Sequence, residues 1–252
     1  MALVTEIFPD FASAAAACGP GYDNSVIADV IAYKTSLGVD PRHFAPEQAV
    51  NSIVSVGIAT AEITQRPLTV LDFGGGCGFH YFRVTASTRS QLRWAIVETP
   101  TMAERALKLT QGRFEVFTSL AAAAAALGRV HLVHASSSIQ YVAEPMSTLK
   151  ALAELHARYF MLARFPVWSG HQTVGVQTSP LAANGIGPMP SSIADREVKY
   201  PITFMNFHDV MRVLGDYEIV MATQSPSSSY NVRGQHVQGI SMFFRSKETG
   251  KT

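Results

Sequence analysis

One run constrains this chain more than any other: Val70-Leu71-Asp72-Phe73-Gly74-Gly75-Gly76-Cys77-Gly78, an apolar stretch passing straight into a glycine-rich turn with a helical pattern after it. Glycines at 74, 76 and 78 permit left-handed backbone and remove Cβ atoms, so a ligand can lie against main chain at the carboxyl end of a strand. A dinucleotide fingerprint requires G-x-G-x-x-G, but the sixth place falls on Phe79 counting from Gly74 and on Tyr81 counting from Gly76. The spacing is D-x-G-x-G-x-G, which suits a ligand with no pyrophosphate to seat on the helix. Asp72 can also cap the turn through its side chain, and Cys77 reads as a small residue filling it.

The surrounding pattern agrees with a strand-turn-helix core. From Pro67 onward short apolar runs alternate with helical stretches, as in βαβ units. The expected strands are 69–73, 93–98, 114–117, 131–135 and 159–163, each short and apolar as a strand covered on both faces should be. The expected helices are 79–88, 102–109, 120–127, 145–156 and 206–214, and 217–223 with 239–244 read as a terminal antiparallel pair. Residues 1–66 read as a helical cap: Asp23, Asn24 and Ser25 offer N-cap chemistry before Val26, Ile27, Val30 and Ile31, and a second helix is expected from Pro46 to just before Arg66. The Gly-, Pro- and Ser-rich segment 165–200 exceeds an ordinary loop and is expected to be a lid over the core 67–252. The fold class is therefore α/β, Rossmann-like and doubly wound, with a mostly parallel seven-stranded sheet.

Composition narrows the function classes. Twenty Lys plus Arg against nineteen Asp plus Glu leave a formal charge of +1 without long runs of either sign, so neither a nucleic acid nor an anionic membrane is the expected partner. Cys18 and Cys77 are too few for a disulfide framework or a cysteine zinc site, which fits a reducing, cytoplasmic setting. The first eleven residues lack the basic and apolar regions of a signal peptide, and the longest small-apolar run, 121–127, is far short of a bilayer span. Charged residues make up only 15% and mean hydropathy is +0.13, which hints at an apolar tunnel, a lid or a homodimer interface.

Asp72, Gly74, Gly76 and Gly78 together match the first motif of the class I S-adenosylmethionine-dependent methyltransferases, which the chain resembles over about 67–245. The phrases 71–76, 131–141 and Tyr200-Pro201 are similar to a bacterial methyltransferase family of undefined acceptor, often associated with surface-polysaccharide or specialised-metabolite gene clusters. The resemblance implies S-adenosylmethionine as cofactor, Gly75 included in the binding turn, and a second acidic residue on the ribose hydroxyls. Glu98, ending the next strand, fits that role, since an ionised carboxylate makes charge-assisted bonds to two hydroxyls. It also places Thr118 and Ser119 beside the adenine, where the usual acidic residue is absent, and Ala135 and Ser136 beside the methionine part.

For the methyl acceptor, a small molecule accepting at oxygen or nitrogen, the expected contacts are His80, Gln140, His171 and Tyr200. His134, Tyr141 and Arg164 are the expected catalytic residues, and His134, His80 and Tyr141 are the candidates for a general base. Tyr22 and Tyr33 are candidates to close over the cofactor. His131 and His134 point to opposite faces of one strand, and no metal site is expected. Two other readings stay open: an NAD(P)-dependent oxidoreductase, and a non-catalytic protein that binds an adenosyl ligand.

Overall fold

A computed structural model describes residues 2–38, 47–64 and 67–247; Pro46 and Arg66, expected to bound the second helix, lie outside the described residues. In chain order the elements are β1 (Ala2–Phe8), α1 (Phe11–Cys18), α2 (Ser25–Ser36), α3 (Glu47–Glu62), β2 (Leu68–Phe73), α4 (Phe79–Ser87), β3 (Leu92–Val97), α5 (Pro100–Thr110), β4 (Glu115–Phe117), α6 (Leu120–Leu127), β5 (Leu132–Ser136), α7 (Pro145–Ala153), β6 (Tyr159–Pro166), β7 (Thr173–Pro180), β8 (Glu197–Phe204), α8 (Phe207–Val213), β9 (Tyr217–Val232) and β10 (Gln235–Ser246).

The strands of the described residues join one sheet in the order β4-β3-β2-β5-β6-β10-β9-β1-β7-β8. The first five run parallel; β10 lies antiparallel to β6 and β9 antiparallel to β10. The expected seven strands are therefore present and contiguous, but the sheet is mixed and ten-stranded, which corrects the mostly parallel, seven-stranded expectation. Three further strands are added because β9 and β10 continue as a hairpin past the core. The far end of β9 pairs in parallel with β1, at Ala2↔Tyr230 through Val4↔Val232, and β1 carries β7 and β8.

Alternation on the parallel strands builds two cores. Leu71, Val133, Phe160 and Leu162 face Ala123, Leu127, Leu149 and Val210 of α6, α7 and α8. Val70, Trp94, Leu132 and Met161 face Val56, Val84, Met102 and Ala106 of α3, α4 and α5. The carboxyl ends of β2, β3, β5 and β6 thereby open on one edge, where ligands bind in such sheets.

Two other expectations change. Residues 2–8 form a strand, so the N-terminal segment is not purely helical. The stretch 165–200 is largely built into β7 and β8 and the loop between them, since its Val-, Ile- and Thr-containing runs complete the edge offered by β1. That loop is tied to α2: Ile27 and Val30 pack on Leu181, Val198 and Tyr200, and the Lys34 Nζ donates to the Ala182 carbonyl at 2.7 Å.

Candidate functional site

A cavity of about 760 Å³ lies over the carboxyl edge of the parallel strands, roofed by Tyr22, Tyr200 and the loop at 183–186. Its volume is in the range that takes a cofactor-sized ligand. The floor is the glycine turn. Gly74 donates its N–H to the Val97 carbonyl at 2.9 Å, which ties the turn to the neighbouring strand. A Cβ on Gly74 would stand 2.3 Å from Ser138 Cβ and one on Gly75 2.4 Å from Asp72 Oδ2, so these glycines are required by the protein's own packing. Gly76 differs. Its φ is +58°, and the nearest heavy atom to a built Cβ is Ile31 Cγ2 at 3.5 Å, so this is the position where bare backbone faces open space.

Glu98 sits immediately after β3 and is aimed over the turn. Its Oε1 accepts from Gly76 N–H at 2.8 Å and its Oε2 from Thr99 N–H at 2.9 Å. Burial pushes its carboxyl pKa up to about 7, against the two backbone donors, which lower it. Each oxygen keeps a lone pair for a further donor. Thr118 lines the same end of the cavity, while Ser119 does not: its hydroxyl caps α6 by accepting from Ala122 N–H at 3.4 Å. Gly78 is likewise absent from the wall, because the Phe114 ring occupies the space its missing Cβ leaves.

Beneath the floor runs a buried polar chain. Asp72, fully buried, accepts from Trp94 Nε1–H at 3.2 Å and pairs with His134 Nδ1 at 2.7 Å. His134 Nε2 meets Ser52 Oγ at 2.8 Å, and Ser52 Oγ meets His80 Nδ1 at 2.9 Å. Asp72 as a carboxylate can only accept, so His134 Nδ1 carries a proton, and with His134 neutral the rest of the chain runs in one direction. His134 carries its proton on Nδ1, its Nε2 accepts from the Ser52 hydroxyl, and Ser52 Oγ accepts from His80 Nδ1–H. His80 Nε2 is left with a lone pair and no protein partner among the described residues, and His80 lines the cavity. Burial, then His134 and Arg164, hold the His80 pKa well below the ordinary histidine value, so its resting form is neutral.

The expected contacts of His134 and Asp72 with ligand are corrected by this geometry: both are sealed behind the floor, at zero exposure, because the network uses every one of their inward-facing atoms. The Ala135 side chain lies in the core, and the contact expected there is one of the backbone. Gln140 is buried behind the wall and donates to Ser137 Oγ at 3.1 Å, steadying a residue that does line the cavity. His171 stands exposed on a bend whose backbone carbonyl serves Trp168 Nε1–H, and Tyr33 is 38% exposed on the outside of α2; neither reaches the site.

The remaining expected residues do converge. Ser136, Tyr141, Arg164 and Tyr200 line the cavity with Tyr22. Tyr22 stacks on Tyr200 at 4.4 Å between centroids and meets Tyr141 edge-on at 4.8 Å. Tyr141 Oη donates to Gln177 Oε1 at 2.9 Å. Burial raises the Tyr141 phenol well above its ordinary pKa, so it serves as a neutral donor and not as a base. Among the described residues no cluster of three His, Cys, Asp or Glu could hold a metal ion. The sequence reading missed Ser52, Ser138 and the serines at 227–229. For Ser52 a signal existed, since two fully buried serines, 52 and 55, interrupt an otherwise apolar helix face.

No family model matches the chain, and no curated protein matches it by sequence. Solved structures do match. An S-adenosylmethionine-dependent methyltransferase from Clostridium acetobutylicum aligns over 88% of this chain and 98% of its own, at 10% identity and a TM-score of 0.51. An amino pentose methyltransferase of Micromonospora echinaspora, solved with S-adenosylmethionine bound, aligns over 82% of this chain and 100% of its own, at 12% identity and a TM-score of 0.48. The first likeness, spanning nearly all of that enzyme, gives this chain the fold of the class I S-adenosylmethionine-dependent methyltransferases.

Proposed function

We propose that the protein transfers a methyl group from S-adenosylmethionine to an oxygen or nitrogen of a small molecule. The observation that carries this reading is Glu98, whose carboxylate is held by two backbone N–H groups over the open face of Gly76 at the edge of the cavity. The residues fit the cofactor: Glu98 takes the ribose hydroxyls, Gly76 leaves room for the chain between sugar and amino acid, Thr118 borders the adenine, and Ser136 borders the amino-acid end. The cofactor supplies a methyl group already activated on a sulfonium. The protein's main task is then alignment, an effect that reaches about 7 to 11 kcal/mol in well-oriented systems.

For an acidic acceptor O–H or N–H, His80 is the proton acceptor. A proton taken at Nε2 lets the chain reverse: His80 Nδ1–H passes to Ser52, and the Ser52 proton passes to His134 Nε2. The charge ends as an imidazolium beside the Asp72 carboxylate, away from the cavity, with no proton lost or gained. General-base assistance of this kind contributes about 10²- to 10⁴-fold. The helices before residue 67 and the β7–β8 hairpin act as the cover that keeps water from the reacting atoms. The glycine spacing speaks against a nicotinamide cofactor.

Calorimetric titration with S-adenosylmethionine, S-adenosylhomocysteine, NADH and NADPH tests the reading. Micromolar binding of the first two alone is the expected result, with affinity for S-adenosylhomocysteine kept in a His80→Gln variant. Binding of a nicotinamide instead, or of none of the four, sinks it.

A further inference from the structure

Arg164 is placed in the cavity by three local departures from regular structure. Along β6 the side chains of Phe160, Leu162 and Phe165 belong to one core and those of Tyr159, Met161 and Ala163 to the other. Strict alternation would put residue 164 where Phe165 packs. A bulge breaks the alternation: Ile240 pairs with Phe165 and Met242 with Leu162, so Ser241 alone stands opposite Ala163 and Arg164. Arg164 then adopts φ +53°, a left-handed conformation that an arginine takes only when its surroundings enforce it.

Serines enforce it here. Ser241 Oγ accepts from Arg164 N–H at 3.0 Å and contacts Ser225 Oγ at 2.7 Å, and Ser228 Oγ donates to the Arg164 carbonyl at 3.1 Å. Ser228 can reach because β9 carries its own bulge: Ser225 pairs with Gly239 and Ser229 with Gln238, leaving 226–228 unpaired. Two bulges on separate strands thus turn one guanidinium into the cavity.

The guanidinium has no carboxylate there. Arg93, Arg105, Arg212 and Arg245 each pair with an Asp or Glu at 2.7 to 2.8 Å, whereas no ion pair reaches Arg164 among the described residues. Its Nε donates to Ser136 Oγ at 3.2 Å and Nη2 grazes the Ser136 carbonyl at 3.5 Å. Most of its five N–H donors remain uncommitted. Glu98 and Arg164 are the only Asp, Glu, Lys or Arg side chains lining the cavity among the described residues, and they stand apart along it. In the strand order β3-β2-β5-β6 three spacings separate their strands, about 14 Å.

We propose that Arg164 holds the anionic group of the methyl acceptor, which makes the substrate an acidic small molecule, carrying a carboxylate or a phosphate, and not a neutral sugar or an amine. This rests on the methyl-transfer reading above. The planar fork of an arginine matches either anion, and the Tyr22, Tyr141 and Tyr200 rings beside it offer a flat apolar wall for the rest of the molecule. The cofactor's own amino-acid carboxylate has the same chemistry, and Ser136, which borders the amino-acid end, is itself a partner of the guanidinium, so the experiment has to separate the two anions.

The test uses the protein saturated with S-adenosylhomocysteine and titrated with matched pairs: 4-hydroxybenzoate and its amide, glucuronate and glucuronamide, glucose 6-phosphate and glucose. At least one acidic member should bind about tenfold or more tightly than its neutral partner. Arg164→Gln should abolish that preference, Arg164→Lys should keep part of it, and both should bind S-adenosylhomocysteine as the wild type does. Equal binding, or no binding, of acidic and neutral members overturns the proposal. So does an Arg164→Gln protein that loses S-adenosylhomocysteine but keeps 5′-methylthioadenosine, which would assign the arginine to the cofactor carboxylate. A wild type that fails to bind S-adenosylhomocysteine sinks the methyl-transfer reading instead, and the same pairs titrated on the free protein then decide Arg164 separately.

Discussion

Glu98 links the protonation state of the site to its affinity, and the sign of that link is fixed by the structure. Its carboxyl is pushed up to about 7 by burial, so the free protein holds it ionised in only about a tenth of molecules at pH 6 and about nine tenths at pH 8. Two ribose hydroxyls donate best to the carboxylate. If that form alone binds, affinity for S-adenosylhomocysteine rises about tenfold from pH 6 to pH 8 and then levels off. Glu98→Gln removes the charge and one of the two acceptors for Gly76 and Thr99 N–H. Charge-assisted bonds contribute about 1.5 to 3 kcal/mol each, so the variant should bind about 10- to 100-fold more weakly at pH 8, with a flat pH profile. Calorimetry in two buffers of different ionisation enthalpy reads both the affinity and the proton released on binding. A pH-independent wild-type affinity, or a variant that keeps the wild-type slope, would refute the reasoning. The linkage for stability has the opposite sign. A carboxyl whose folded pKa exceeds its unfolded value stabilises the fold at low pH, and that contribution is lost as pH rises from about 4.5 to about 7. The thermal shift given by the ligand should therefore grow over the same range.

Gly74→Ala would put a methyl 2.3 Å from Ser138 Cβ at a backbone φ of +69°, and should cost about 2 kcal/mol or more in urea unfolding. Gly112→Ala is the control, since φ there is +76° with no atom within 4 Å, and should cost only the positive-φ strain of about 1 to 2 kcal/mol. Equal losses would show that the Ser138 contact does not matter. Ser52→Ala strands His134 Nε2 and His80 Nδ1 in a buried position and should destabilise by about 1 to 3 kcal/mol, a loss read by urea unfolding. Nitrogen-15 spectra of the wild type should show neutral His80 protonated on Nδ1; protonation on Nε2 would reverse the inferred direction of the chain.

Much of this was legible in the sequence because it is local. A short apolar strand followed by D-x-G-x-G-x-G dictates a turn whose glycines are forced by close approach, and the acidic residue closing the next strand follows from the parallel spacing of β2 and β3, which pair from Leu68↔Leu92 to Phe73↔Val97. The helix faces and the terminal hairpin were legible for the same reason, since burial on one or both sides prints a period on the chain. What only the tertiary structure decided depends on residues far apart in sequence. No period in the stretch 165–200 announces β7 and β8, because these strands exist only where β1 offers an edge, and β1 is placed by the far end of β9. His134 looked like a base at a strand end, yet Ser52 and Asp72 consume both of its nitrogens and pass the open lone pair to His80. Arg164 looked like a cation at a strand end; two bulges and three serines, drawn from β9 and β10, turn it into the cavity. A pattern along the chain records which side of an element is buried, and it cannot record which distant side chain will meet a given polar atom once the elements have packed.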